Sequence, residues 1–121
     1  MQEPLRFYSL STCSTCRKAR TYLRERGVEQ DERPVRDAPP SPDELRAWLP
    51  QEGYRACMNT SSPDYRKLGL TGRTLSRDQV LEILIHNPNL IKRPLVVGTT
   101  GAVFGFKPER YAELGWISGS D

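Results

Sequence analysis

Two cysteines separated by two residues stand where a predicted strand meets a predicted helix. Residues 5–8 (LRFY) form a short β-prone run, and helix-forming residues extend from 14 to about 26, where a glycine ends the pattern. Cys13 therefore falls at or just before the helix N-terminus, and Cys16 lies one turn inside it. A Cys-x-x-Cys pair that begins a helix after a strand is typical of redox chemistry, so the sequence predicts a working pair of thiols.

The start of a helix favours the ionised form of a thiol. Unpaired backbone amides and the positive end of the helix dipole stabilise a thiolate at Cys13, and Arg17 and Lys18 add positive charge nearby. We therefore expect Cys13 to titrate below the ~8.5 of a free thiol and to act as a nucleophile. The helical spacing puts Cys16 on the same side, within reach of Cys13 for a disulfide.

A zinc site is the alternative interpretation of the cysteine pair. Such a site needs two more ligands, and the remaining cysteine and histidine are Cys57 and His86, each isolated in sequence. A buried, small apolar role is the simpler hypothesis for Cys57, and a position at a helix end is the simpler one for His86. We therefore predict a redox pair, with no metal and no organic cofactor.

Length and charge limit the class of protein. The 121 residues predict one domain spanning 1–121, and the net charge of +3 is spread along the chain, which argues against direct nucleic-acid binding. No apolar stretch reaches 18 residues and the N-terminus lacks the layout of a secretion signal, so we expect a cytoplasmic protein without a membrane segment. Three cysteines, an odd number, also suit a reducing compartment. Separately, a monomer is expected.

The order of predicted elements is that of an α/β protein: β-α-β, a helical block, then β-β-α. After the first helix come a strand in 28–35, helices in 41–49, 62–68 and 76–87, a hairpin of 94–97 with 102–106, and a helix in 107–114. Alternation along the hairpin predicts Phe104 and Phe106 on one face. Residues 116–121 are expected to be a frayed polar tail.

Arg93 stands directly before Pro94, at the start of the third predicted strand. Proline is tolerated at the first residue of a strand, and an X-Pro bond there can be cis. A cis bond would turn Arg93 toward a neighbouring loop. The alternative is a solvent-facing arginine beside a strand-start proline, and composition does not separate the two.

Several segments resemble the ArsC/Spx family of thioredoxin-fold proteins. Besides the cysteine pair, they are NPNLIKRPLVV at 87–97, YRKLGL at 65–70 and VFGFKPE at 103–109, so the resemblance covers nearly the whole chain. It implies a thioredoxin/glutaredoxin-like fold of β-α-β, a helical insertion at about 41–87, and β-β-α, with a mixed four-stranded sheet.

The resemblance also implies an oxyanion site. One branch of the family reduces arsenate with a cysteine nucleophile, which matches Cys13, and with arginines that hold the oxyanion, one of which matches Arg93. The other two arginine positions are occupied here by Asn59 and Lys107, which are expected to contact the oxyanion in a weaker or differently built site. Two further arginines could supply a substitute charge, Arg55 and Arg73.

Three functions are open on this resemblance. The first is an arsenate reductase with a role in arsenic resistance, in which Cys13 forms an adduct with arsenate. Either Cys16 or glutathione then releases arsenite, and thioredoxin or glutaredoxin is the external reductant. The second is a redox-sensing regulator that binds the RNA polymerase α subunit. The third is a general thiol-disulfide reductase of the same fold.

Individual residues give conflicting support to the first two of these functions. Reductases that rely on glutathione usually lack a cysteine at the position of Cys16, whereas the regulators usually carry it. Against the regulator, the arginine near its polymerase contact is replaced here by Ser61, although the preceding glycine is matched by Gly53. Neither branch of the family fits without a departure.

Overall fold

The computed structural model describes residues 4–10 and 13–118. In chain order the elements are β1 (Leu5–Ser9), α1 (Ser14–Glu25), β2 (Gln30–Pro34), α2 (Pro42–Trp48), a 3-10 helix (Tyr54–Cys57), α3 (Pro63–Lys67), α4 (Arg77–His86), a 3-10 helix (Pro88–Leu90), β3 (Leu95–Gly98), β4 (Gly101–Phe104) and α5 (Pro108–Glu113). The predicted order of strands and helices is confirmed, and the two 3-10 helices were not predicted. Among these elements, no helix is long and apolar enough to cross a membrane.

The strands of the described residues form a mixed four-stranded sheet in the order β2-β1-β3-β4. Strand β1 pairs with β2 in parallel and with β3 antiparallel, and β3 pairs with β4 antiparallel. A parallel pair needs a crossover, and α1 supplies it. Because α1 follows β1 directly in the chain, the start of α1 lies at the C-terminal end of β1, and the cysteine pair lies at this point.

Each face of the sheet carries its own apolar core. On one face, Tyr8 and Leu95 pack with residues of the helical block, among them Leu45 and Leu84. On the other face, Phe7 and other strand residues pack with α1 and with the C-terminal segment; the buried members are Leu5, Phe7, Cys16, Ala19, Leu23, Val96, Val103, Tyr111 and Trp116. Alternation along the strands sends neighbouring side chains to opposite cores. Cys16 therefore belongs to the core on the α1 side.

Helix α2 begins as the sequence predicts. The Ser41 hydroxyl accepts a hydrogen bond from the Glu44 N–H (3.1 Å), and the Glu44 carboxylate accepts one from the Ser41 N–H (2.9 Å). This reciprocal capping satisfies two donors at the helix start. At its other end, the Arg77 guanidinium donates to the carbonyls of Leu49 (2.7 Å) and Pro50 (3.1 Å), which fixes α2 against the start of α4.

The prediction that Phe104 and Phe106 share a face is wrong. Strand β4 ends at Phe104, which packs in the core on the helical-block side. Gly105 then adopts φ +94°, a left-handed conformation that breaks the alternation of side chains. Phe106 consequently packs on the other core, with ring centroids 5.4 Å from Tyr22 and 6.2 Å from Tyr111.

The predicted frayed tail is also wrong at its first residue. Trp116 is only 4% exposed, and its indole N–H donates to the Thr100 hydroxyl (3.0 Å). Its ring centroid lies 5.5 Å from that of Tyr111. The segment after α5 therefore closes the core on the α1 side. The last three residues of the predicted tail, 119–121, lie outside the described residues.

Candidate redox site

Cys13 is the N-cap residue of α1, as its position in the sequence predicts. Its backbone is extended (φ −86°, ψ 111°), and its sulfur accepts a hydrogen bond from the Cys16 N–H (3.2 Å). The Cys13 N–H in turn donates to the Leu10 carbonyl at the end of β1 (3.0 Å). An N-cap acceptor satisfies one of the free amides of the first turn, and a thiolate does so better than a neutral thiol.

The two thiols differ in their access to solvent. Cys13 is partly exposed, whereas Cys16 is fully buried among the side chains between α1 and the sheet. Both are free thiols in this structure. The geometry therefore leaves Cys13 accessible to a reactant from solvent and keeps Cys16 enclosed in the core.

The two thiols also differ in acidity, and the more exposed thiol, Cys13, is the more acidic one. Burial by itself would raise the pKa of the Cys13 thiol, but its hydrogen bonds with Cys16 and the positive charge of Arg93 together lower that pKa below its ordinary value. Burial raises the pKa of Cys16 to about 12, and the neighbouring Cys13 adds to this rise. Near neutral pH, Cys13 is thus the more acidic thiol and Cys16 stays protonated.

Arg93 reaches the cysteine pair from the loop before β3. The Arg93-Pro94 peptide bond is cis, one of the two alternatives that the sequence left open. Pro94 is buried, and its carbonyl accepts a hydrogen bond from the Gly105 N–H (2.9 Å). The positive charge of Arg93 lowers the pKa of Cys13, whereas Arg17 is exposed on α1, as is its neighbour Lys18.

The Arg93 side chain is only partly satisfied. Its Nη1 donates to the Asn89 carbonyl (2.7 Å), and the Asn89 side chain donates to the Asp64 carboxylate at the start of α3. Its Nε is buried and has no hydrogen-bond partner among residues 4–10 and 13–118. A buried guanidinium nitrogen without an acceptor is costly, and an anion bound beside Cys13 would satisfy it.

The residues at the other two expected oxyanion positions, Asn59 and Lys107, lie in different places. Asn59 is next to the segment that carries Arg93: its N–H donates to the Leu90 carbonyl (2.7 Å), and its side-chain oxygen accepts from the Ser61 hydroxyl (2.9 Å). Lys107 is exposed and lines a cavity of about 360 Å³ together with Cys57. The oxyanion roles predicted for Asn59 and Lys107 stay predictions.

Arg55 and Arg73, the other candidate cations, are tied to one another. The Arg55 guanidinium donates to the Arg73 carbonyl (2.5 Å), to the Tyr65 hydroxyl and to the Leu70 carbonyl (3.3 Å). These bonds hold the loop after α3 onto the preceding 3-10 helix. Arg55 therefore serves the packing of the helical block.

Cys57 and His86 do not join the cysteine pair in a metal site. Cys57 is buried on the other face of the sheet, where burial raises its pKa to about 11. His86 is exposed at the end of α4, 3.3 Å from the Glu82 carboxylate. Within the described parts of the chain, no three side chains of His, Cys, Asp or Glu converge as metal ligands would.

One charged group near the cysteines was missed by the sequence analysis. Arg20 lies one turn after Cys16 and forms a two-fold hydrogen bond with Glu32 on β2 (2.6 and 2.7 Å). Twelve residues separate the two partners, and neither belongs to a motif. The helical spacing of Arg20 from the cysteines was the available signal, since i+4 and i+7 positions share a helix face.

Comparison with known sequences places these features in context. A model of the ArsC family matches residues 8–114. YusI, an uncharacterized protein from Bacillus subtilis, is 38% identical over 113 residues, which cover 90% of this chain and 96% of YusI. MgsR, a regulatory protein from the same organism, is 32% identical over 116 residues, covering 94% of this chain and 92% of MgsR.

Solved structures give the same picture for the fold. A protein from Bacteroides fragilis described as ArsC family related superposes with a TM-score of 0.82 at 35% identity, covering 93% of this chain and 99% of the other. An arsenate reductase from Vibrio cholerae superposes with a TM-score of 0.77 at 27% identity, covering 94% and 99%. Both similarities extend over nearly all of the chain and thus concern the whole fold.

Proposed function

Because the chain belongs to the ArsC family, we propose that it is a thiol-dependent arsenate reductase with Cys13 as its nucleophile. The observation that carries this proposal is the juxtaposition of Cys13 and Arg93. The partly exposed thiol has a lowered pKa, and the arginine that contributes to this shift has a buried Nε with no acceptor in the described residues. A nucleophile beside a guanidinium with an unused donor suits an electrophilic oxyanion.

In the first step, the Cys13 thiolate attacks the arsenic atom of arsenate. A sulfur–arsenic bond forms, one arsenic–oxygen bond breaks, and the released oxygen is protonated and leaves as water. Arg93 balances the negative charge of the arsenate oxygens, and the free amides at the start of α1 add to this effect. Arsenic stays pentavalent in the adduct, so no electron transfer has yet occurred.

In the second step, Cys16 attacks the sulfur of Cys13. A disulfide forms, the sulfur–arsenic bond breaks, and its electron pair stays with arsenic, which leaves as trivalent arsenite. Burial keeps Cys16 protonated in the resting protein, and the nearby Cys13 thiolate raises the pKa of Cys16 further. When Cys16 attacks, it gives up its proton, which passes to the departing arsenite, so that bonds, electrons and protons balance.

An external dithiol or glutathione completes the cycle by returning two electrons to the disulfide. Thioredoxin and glutaredoxin with glutathione are the two reductant systems that we propose as donors. The partly exposed sulfur of Cys13 is the atom that such a donor would attack, since Cys16 is closed off by the core. The similarity to the Vibrio cholerae arsenate reductase supports the proposed reduction of arsenate.

The proposal is tested by following NADPH oxidation with arsenate in each of the two reductant systems. We expect arsenate-dependent turnover with at least one system and none when arsenate is left out. Arsenite is measured in the same samples, with one NADPH consumed for each arsenite formed. No arsenate-dependent oxidation in either system would refute the reductase assignment.

The role of Arg93 gives a separate prediction. Arg93→Gln removes the charge that faces the arsenate, so we expect kcat/KM for arsenate to fall by roughly 10- to 100-fold, the range for losing a charge-assisted hydrogen bond. The matched control is Lys92→Gln, which removes the same charge from the exposed side chain one residue earlier. Equal effects of the two substitutions would contradict a specific role for Arg93.

A second candidate function is redox-sensing regulation, favoured by the similarity to the regulatory protein MgsR. In this case formation of a Cys13–Cys16 disulfide would alter a surface that binds the RNA polymerase α subunit. The test is a pull-down with the C-terminal domain of that subunit, with and without the thiol oxidant diamide. Binding that changes with oxidation and is lost in Cys13→Ser supports the regulator, and absence of binding in both states argues against it.

A further inference from the structure

Arg20 lies on the face of α1 that carries both cysteines. It follows Cys16 by four residues and Cys13 by seven, spacings that bring side chains to one side of a helix. Along the helix axis these separations amount to about 6 and 10 Å. Only 21% of the Arg20 side chain is exposed, so the electrostatic interaction of Arg20 with Cys16 and Cys13 is only partly screened by solvent.

The Arg20 side chain is held in place by its neighbours. Its guanidinium lies 5.5 Å from the ring centre of Phe7 and donates to both carboxylate oxygens of Glu32 (2.6 and 2.7 Å). One of these oxygens also accepts a hydrogen bond from the hydroxyl of Ser9 (3.0 Å), a buried polar residue on β1. The network thus joins α1, β1 and β2 directly behind the cysteine pair.

Ser9 connects this network to the turn that presents the nucleophile. It is the last residue of β1, and the carbonyl of the next residue, Leu10, accepts the hydrogen bond from the Cys13 N–H. The carboxylate of Glu32 therefore bonds at the same time to the strand end before the cysteines and to the helix after them. An ion pair at this point affects the thiols by its charges as well as by its contacts.

We propose that Arg20 and Glu32 are positioning residues that tune the Cys13 thiolate in opposite directions. The Arg20 cation stabilises the thiolate, and Glu32 holds Arg20 in place while neutralising most of its charge. Removal of Arg20 then leaves the Glu32 carboxylate with the Ser9 hydroxyl and the charge of Arg24 to offset it, and removal of Glu32 leaves the Arg20 cation without its carboxylate. The inference goes beyond the interaction between Arg93 and Cys13, because it assigns a second group of charged residues, Arg20 and Glu32, that acts on the same thiol.

The ionisation behaviour of the pair agrees with this arrangement. The pKa of Arg20 is raised, first by its hydrogen bonds to Glu32 and additionally by its electrostatic interaction with the ionised forms of Cys16 and Cys13. The pKa of Glu32 is lowered, chiefly by Arg20 and also by Ser9, so the pair stays ionised near neutral pH.

Other elements also present ionisable groups to the cysteines. Arg93 acts on both thiols from the loop before β3, and Tyr111 of α5 interacts with Cys16. Burial raises the pKa of Tyr111, which keeps its hydroxyl neutral. Neither group contacts Glu32 in the hydrogen bonds above, so substitutions at Arg20 and Glu32 leave them in place.

The test is the pH dependence of Cys13 alkylation by iodoacetamide, an uncharged probe, with labelling of Cys13 followed by mass spectrometry. We expect Arg20→Gln to raise the pH of half-maximal alkylation rate by roughly 0.3 to 0.6 unit, the size that Coulomb's law gives for salt-screened charges about 10 Å apart. Glu32→Gln should lower it by a similar amount. The double variant should return to within about 0.2 unit of wild type, and 1 M salt should reduce both shifts.

These signs separate electrostatic tuning from simple support of the fold. If the network only held the backbone, both single substitutions would loosen the turn and shift the midpoint the same way, and the double variant would not recover. Shifts of equal sign, or none above about 0.1 unit, therefore overturn the proposal. Arg20→Lys keeps the charge and should stay near wild type, and Glu32→Gln alone carries the sign test if Arg20→Gln fails to fold.

The inference rests on Cys13 as the nucleophile of the proposed function, but its test uses no arsenate. Opposite shifts without any arsenate turnover would uphold the tuning by Arg20 and Glu32 and reject the reductase. Arsenate turnover with equal or absent shifts would uphold the reductase and reject the tuning.

Discussion

Cys13→Ser is expected to reduce arsenate-dependent turnover by at least about 10³-fold, because a serine hydroxyl at the same position is a far weaker nucleophile near neutral pH. The substitution is nearly isosteric, and the oxygen can still accept the hydrogen bond from the Cys16 N–H at the start of α1. Stability should therefore change little, so the loss of turnover reports on chemistry. The measurement is NADPH oxidation coupled to arsenite formation.

The matched control is Cys57→Ala, which removes a thiol that is buried on the other face of the sheet. It should keep turnover within about two-fold of wild type once the folded fraction is verified by circular dichroism. Cys16→Ser then identifies the resolving thiol: lost turnover in both reductant systems assigns the step to Cys16, and retained turnover with glutathione assigns it to glutathione. Wild-type turnover in Cys13→Ser would contradict the mechanism outright.

Trp116→Ala is expected to lower the free energy of unfolding by about 3 to 5 kcal/mol, the range for truncating a buried large aromatic residue. The indole is 4% exposed, donates a hydrogen bond to Thr100 and lies beside the ring of Tyr111. It also covers Gly98, where a Cβ atom would lie 2.6 Å from the indole nitrogen. Urea unfolding followed by far-ultraviolet circular dichroism measures the change.

Trp48→Ala provides the comparison for the same chemical change at a partly exposed site. Trp48 contacts Tyr8 and lies 6.0 Å from the Arg6 guanidinium, but its side chain is not enclosed. We expect a smaller loss of about 1 to 2 kcal/mol, in line with the smaller apolar area removed. If Trp116→Ala proved no more destabilising than Trp48→Ala, the packing of the C-terminal segment described above would be wrong.

The parts of the fold that follow from local chemistry could be predicted from the sequence. Ser41 and Glu44 form their capping box through residues three apart, and Cys13 caps α1 because it directly precedes the helical stretch. Such interactions depend on a few neighbouring residues, which a sequence displays directly. Cys13 could therefore be placed at the helix start from the sequence alone.

The errors arose where one backbone angle or one distant contact decides the outcome. Phe106 changes sides because Gly105 adopts a positive φ, and alternation alone assumes a continuous strand. Trp116 stands in a polar segment, and its burial depends on Thr100 and Gly98 in the hairpin, more than ten residues away. In both cases tertiary packing overrides the local pattern.

The residues of the candidate site could likewise be predicted only where they belong to local motifs. Cys13, Cys16 and Arg93 belong to local motifs, and the structure brings all three together. Arg20 and Glu32 meet only because α1 crosses over the β1–β2 pair, so no short motif marks them. The sequence could suggest a cis Arg93-Pro94 bond but could not choose it over trans.

The most direct test of the proposed chemistry is a single turnover without an external reductant. Fully reduced protein is incubated with arsenate, and free thiols, arsenite and cysteine pairing are then measured. The mechanism predicts the loss of two thiols for each arsenite released and a disulfide that mass spectrometry locates between Cys13 and Cys16, with Cys57 still free. An unchanged thiol count and no arsenite, in protein whose Cys13 remains reactive toward iodoacetamide, would contradict it.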